Sequence, residues 1–180
     1  MMCLRWEITI LDPLSAEVRY LLGLSLLFAR QYDMAVQQYQ EAMKLNPSAY
    51  FPVWGVGLTY EARGNLPEAL AWLKKARQLE DNPLLLAQTG GLYARLGDRK
   101  QARMILEELK RRSSREHVPA VAMGTLYFYL GEKDKAFRFM DQAFDERGED
   151  LLGFKSAPWL DPMRSDPRFQ NIVRRMNFPN

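Results

Sequence analysis

The chain has 180 residues, 47% hydrophobic and 26% charged, which suits one domain or a short repeat array and excludes disordered and collagen-like designs. One cysteine, Cys3, and one histidine, His117, exclude an internal disulfide, a cysteine zinc cluster and nearly all His-dependent metal or triad chemistry. The net charge of +3, from 25 basic and 22 acidic residues, is too slight for the basic stripe of a nucleic-acid binder.

No apolar run reaches the roughly 18–20 residues of a membrane span. Glu7 and Asp12 near the start, with no small-residue cleavage site, argue against a secretory leader. The cytoplasm is the expected compartment. Residues 1–15 read as the second helix of a partial repeat, because Pro13 lies one period before Pro47.

From residue 16 the chain repeats itself in blocks 16–49, 50–82, 83–116 and 117–150. Gly23, Gly57, Gly90 and Gly124 share one column, and Ala35, Ala69, Ala102 and Ala136 share another. Tyr60, Tyr93 and Tyr127 follow the glycine by three places, with Leu26 in the first block. Gly64, Gly97 and Gly131 form a further column, in which the first block has Arg30. Such periodicity marks a stacked repeat architecture. Each block predicts two helices, the first ending at the Gly64-type position in a left-handed cap. The second carries alanines seven residues apart, as at Ala69 and Ala76, which let a neighbouring helix approach closely.

After Asp150 the period breaks. Residues 151–156 predict a short helix, and Pro158, Pro162 and Pro167 punctuate the stretch after it. Ser165-Asp166-Pro167 has helix-start chemistry. Phe169, Ile172, Val173 and Met176 give a final helix one apolar stripe, suited to capping the array.

These columns resemble the tetratricopeptide repeat over residues 16–150. The sequence departs from that pattern at Arg19 and Ala120, where a large residue is usual, and at Leu106 and Leu109 in the third block. A closing proline is present only at Pro47. The resemblance implies an all-α, right-handed solenoid of about four helix-turn-helix repeats with a C-terminal capping helix in residues 151–180. The ending resembles the tails of such regions in larger bacterial regulatory proteins.

In this family the inner wall comes from the first helix of each repeat. Carried over, those places give an apolar groove at Tyr20, Leu24, Phe28, Trp54, Leu58, Phe128 and Tyr129. Either a partner's peptide or amphipathic helix lies in it, or the chain's own tail or its packed helices cover these residues. The carboxylate clamp known in the family is excluded, because Tyr20, Leu24, Gly55, Leu84 and Gln88 occupy its places. A second candidate is an anionic-partner patch at Arg95, Arg99, Lys100, Arg103, Arg111 and Arg112. The plainer account of those cations is a solvated face and a favourable helix C-terminus.

Gly55-Val56-Gly57 lacks the third glycine of a nucleotide loop, and His117 alone is no mechanism. No enzyme activity, cofactor or metal is expected. The primary expectation is a protein-interaction scaffold. Two alternatives are a module that self-associates through the N-terminal half-repeat, giving a homo-oligomer, and a regulatory arm acting on a separate output domain.

Overall fold

A computed structural model describes residues 15–146 and 155–176. The partial repeat expected before residue 15, the end of the fourth block and most of the short helix at 151–156 lie outside these. Among the described residues there are nine α-helices, one 3₁₀ helix and no strand. The repeats are the pairs α1 (Ala16–Phe28) and α2 (Tyr32–Leu45), α3 (Tyr50–Ala62) and α4 (Leu66–Leu79), α5 (Pro83–Arg95) and α6 (Arg99–Arg112), and α7 (Ala120–Tyr129) and α8 (Lys133–Glu146). A 3₁₀ helix (Pro158–Met163) and α9 (Pro167–Arg175) follow. No helix among the described residues is long and apolar enough to cross a membrane.

The turn inside each pair is built one way four times. Gly64, Gly97 and Gly131 take φ of 80°, 88° and 82°, and Arg30 takes 62° in the first repeat. The next residue's N–H then reaches back to the aromatic column: Gln31 to the Leu26 carbonyl, Asn65 to Tyr60, Asp98 to Tyr93 and Glu132 to Tyr127, at 2.8–3.0 Å. This bond satisfies a carbonyl that the ending helix would leave orphaned. Side-chain caps start some of the helices: Asn82 accepts from Leu85 N–H at 3.0 Å and Asp98 from Gln101 N–H at 3.0 Å.

Packing explains the other columns. Ala35, Ala42, Ala69, Ala76 and Ala102 are wholly buried. Between each pair of small residues the second helix sends one large side chain against the column glycine of the first. A methyl on Gly57 would sit 2.5 Å from Leu73 Cδ1, one on Gly90 2.9 Å from Ile105 Cγ2, and one on Gly124 3.0 Å from Met140 Cε. The glycine costs about 1 kcal/mol of helix propensity. Burying a leucine such as Leu73 against it returns about 1.5–3 kcal/mol.

Two features depart from expectation. The first helix of the fourth repeat begins at Ala120, not at residue 117, because Pro119 holds an extended backbone (ψ 131°) and disfavours helix at Val118. Beyond Asp150 the residue columns stop, yet α9 keeps the 34-residue spacing. Arg168 reaches Asp134 at 2.8 Å and Arg175 reaches Asp141, each 34 residues apart. Phe169 and Ile172 are buried in one cluster with Phe137 and Met140. So α9 rests on α8 one period later, started as expected by Asp166 and Pro167.

Candidate functional site

The first helices of the repeats line the inner face. Tyr20, Leu24 and Phe28 of α1, Trp54 of α3, Leu84, Ala87 and Gln88 of α5, and Val121, Ala122 and Thr125 of α7 border one recess of about 390 Å³. Spacings of three and four residues put each set on one helix face. Its polar groups are few and mostly engaged. The Trp54 indole N–H donates to Gln88 Oε1, and Thr125 donates to the Val121 carbonyl at 2.8 Å. Burial, helped by Tyr50, pushes the Tyr20 phenol up to about 12.

The remaining wall is the chain's own tail, at Ala157, Trp159 and Leu160. Trp159 packs on Phe28 with ring centres 6.0 Å apart. The Tyr129 hydroxyl donates to the Trp159 carbonyl at 2.8 Å. Arg30 makes a two-pronged contact with Asp161 at 2.7 and 3.0 Å, across 131 residues of chain. Burial opposes ionisation of Asp161, but hydrogen bonds from Arg30 and Arg164 outweigh it and hold the carboxyl below its ordinary value. The Arg30–Asp161 pair is over 40% exposed on both sides, so it contributes about 0–1 kcal/mol. Arg30 therefore has two parts: it fills a left-handed turn position that other repeats give to glycine, and it ties the first repeat to the tail.

Next to the tail lies a buried polar relay. Glu61, 7% exposed, is paired with Arg95 one period on. Arg95 in turn sits 5.1 Å from the Tyr129 ring centre. Burial pushes the Glu61 carboxyl up to about 7, against the pull of Arg95. Burial also raises Tyr129, with the Glu61 charge adding to it.

The expected groove residues do not all share this surface. Tyr20, Leu24, Phe28 and Trp54 do. Leu58 does not: it is 1% exposed, in the core with Leu27 and Val56, because α3 has helices packed on both sides. Tyr129 is occupied in holding the tail. Phe128 packs edge-on against Phe137, with Lys133 over its ring.

The expected cationic patch is divided. Arg95 belongs to the inner relay, and Arg99 donates to the Leu130 carbonyl at 2.6 Å. Arg111 pairs with Glu108, and Arg112 with Asp81 and Glu108. Among the described residues Lys100 and Arg103 make no salt bridge, beside exposed Met104 on α6. Sequence reasoning named Gln88 only as a place of the excluded clamp and missed Ala122 on the wall, and Arg30, Trp159 and Asp161 at the tail. Only Arg30 left a signal, as the break in a glycine column.

The tetratricopeptide repeat family model matches residues 16–48. A tetratricopeptide repeat-containing protein of Methanocaldococcus jannaschii is 29% identical over 126 residues, 69% of this chain and 22% of its own length. The transcriptional regulator HilA of Salmonella typhimurium is 29% identical over 124 residues, 67% of this chain and 22% of HilA. The chain thus spans about a fifth of the length of these relatives. Among solved structures, Pseudomonas aeruginosa PilF superposes with a TM-score of 0.57 at 14% identity, covering 92% of this chain and 78% of that one. A tetratricopeptide repeat protein from Parabacteroides merdae gives 0.54 at 15%, covering 93% and 66%. With the 34-residue period and four left-handed turns, these likenesses make the chain similar to tetratricopeptide repeat proteins, whose family model matches its first repeat.

Proposed function

We propose that the chain is a non-catalytic protein-interaction scaffold whose inner face takes an apolar segment of a partner. The observation that carries this reading is the recess itself: apolar and aromatic walls from all four repeats surround space that the chain's own tail leaves unfilled. The volume refines what enters. An α-helix about 10 Å across takes up roughly 120 Å³ per residue of rise, so the recess holds about three residues of a helix. With the tail in place, one or two anchor side chains enter rather than a whole helix. Such anchors supply most of an interface's energy.

Affinity capture from host lysate tests the reading, comparing wild type with a Leu24→Ala, Trp54→Ala variant that still melts cooperatively. Proteins held by wild type and lost by the variant are the expected result. Unchanged capture would move the interaction off this face. A second reading, a regulatory arm for a separate output domain, draws on the HilA likeness, which covers 22% of that regulator.

A further inference from the structure

The tail segment 157–163 behaves like a ligand, although it belongs to the chain. It crosses the inner face from the fourth repeat to the first, with Trp159 touching the cores at both ends. Its contacts fall in an order. An aromatic ring packs at a tilt on Phe28, its residue's carbonyl accepts from Tyr129, and two residues later a carboxylate enters the Arg30 fork. All the receiving groups sit at or just beyond the C-terminal ends of α1 and α7. The receptor side is the array and the ligand side is an aromatic-apolar-acidic sequence, Trp159-Leu160-Asp161.

The fit is also incomplete. The segment leaves about 390 Å³ open between itself and the helix wall, so the atoms lining that space lack contacts they would have in a filled core. Its polar tie to the first repeat is exposed and open to water. By contrast, α9 is fixed by Phe169 and Ile172, both 1% exposed, and by Arg168 and Arg175 to α8. Ala157, Leu160 and Met163, at most 2% exposed, share that core with α9, whereas the half-buried Trp159 ring and the exposed Asp161 carboxylate reach out to the recess and the first repeat.

We infer that Trp159 and Asp161 act as an intramolecular pseudo-ligand, and that the groove's partner is a peptide of the same chemistry, an aromatic side chain followed two residues later by a carboxylate, which displaces them from the first repeat. This rests on the scaffold reading and gives it a partner class. A bound partner fills the recess that the chain's own segment leaves open and takes over the Arg30 fork and the Tyr129 hydroxyl.

The probe is a fluorescent synthetic peptide copying residues 155–164, titrated into the full chain and followed by anisotropy. Wild type should bind it weakly, because the tethered copy competes at an effective concentration on the order of millimolar. A Trp159→Ala, Asp161→Ala variant should bind it at least about tenfold more tightly. Adding Arg30→Glu should abolish most of that gain, and a peptide with arginine in place of its aspartate should restore it. If the double variant melts cooperatively and binds no more tightly than wild type, the segment is a permanent cap and the inference is overturned. Should that variant fail to fold, hydrogen exchange on wild type decides the matter. Amides of 157–163 should exchange faster than those of α3 and α7, and faster still with excess peptide, whereas equal protection overturns the proposal. Loss of the pseudo-ligand idea would leave the lysate comparison at Leu24 and Trp54 intact, so the two failures are distinguishable.

Discussion

Gly23→Ala tests whether close packing or helix propensity governs the repeat. Tyr39, wholly buried in α2, lies between two glycines of neighbouring first helices. A methyl built on Gly23 would sit 2.5 Å from Tyr39 Cε1, and one on Gly55 would sit 2.5 Å from Tyr39 Cζ. Carbon atoms prefer about 3.5–4.0 Å, so the ring would have to move by about 1 Å. It has nowhere to go, since the backbone at Gly55 closes the far side. Overpacking of this kind costs about 1–3 kcal/mol, while the alanine returns about 1 kcal/mol of helix propensity. The expected net effect is a loss of up to about 2 kcal/mol, which lowers the melting temperature by about 2–4 °C per kcal/mol for a chain of this size. Urea unfolding followed by far-UV circular dichroism measures it. Repeating the substitution in a Tyr39→Leu background removes the ring, and there Gly23→Ala should be neutral or stabilising. A coupling energy of about 1 kcal/mol or more between the two sites is expected. If the alanine costs the same in both backgrounds, or stabilises the wild type, the ring is not what keeps the position small.

Two further predictions concern Glu61 and the left-handed turns. The Glu61 carboxyl titrates near 7 in the folded chain against an ordinary 4.5, so the folded state holds its proton more tightly. Stability from this group is present below about pH 4.5 and lost as pH rises through 7, a decline of up to about 3 kcal/mol. Glu61→Gln keeps the shape and an acceptor for Arg95, so urea midpoints between about pH 5 and pH 8 should fall less for the variant; identical slopes would refute this. Gly97→Ala places a methyl that meets nothing within 4 Å, at φ 88°. Its cost of about 1–2 kcal/mol is therefore purely conformational, and a thermal melt showing no loss would contradict the turn's account.

What could be read from the sequence was whatever the molecule does once per repeat. Gly64, Gly97 and Gly131 mark left-handed turns, Ala69 and Ala76 mark helix contacts, and both recur because the same geometry recurs. The 34-residue step continues to α9, through Asp134 with Arg168 and Asp141 with Arg175, but the sequence hid it, because neither pair stands in an apolar column. The site was harder, for two physical reasons. A family's average wall position assumes equal surroundings, yet Leu24 borders the recess while Leu58, at the same place one repeat later, is sealed inside. The difference is that α3 is packed between neighbouring helices on both sides, which seals Leu58 in. The second reason is that a contact made once has no column. Arg30 with Asp161 and Phe28 with Trp159 join the two ends of the array, 131 residues apart, and leave no period to detect. Arg30 was visible only as an irregularity, a charged residue bearing the strain of a glycine site. In an array this regular, the position that breaks the pattern is where the chain does something other than stack.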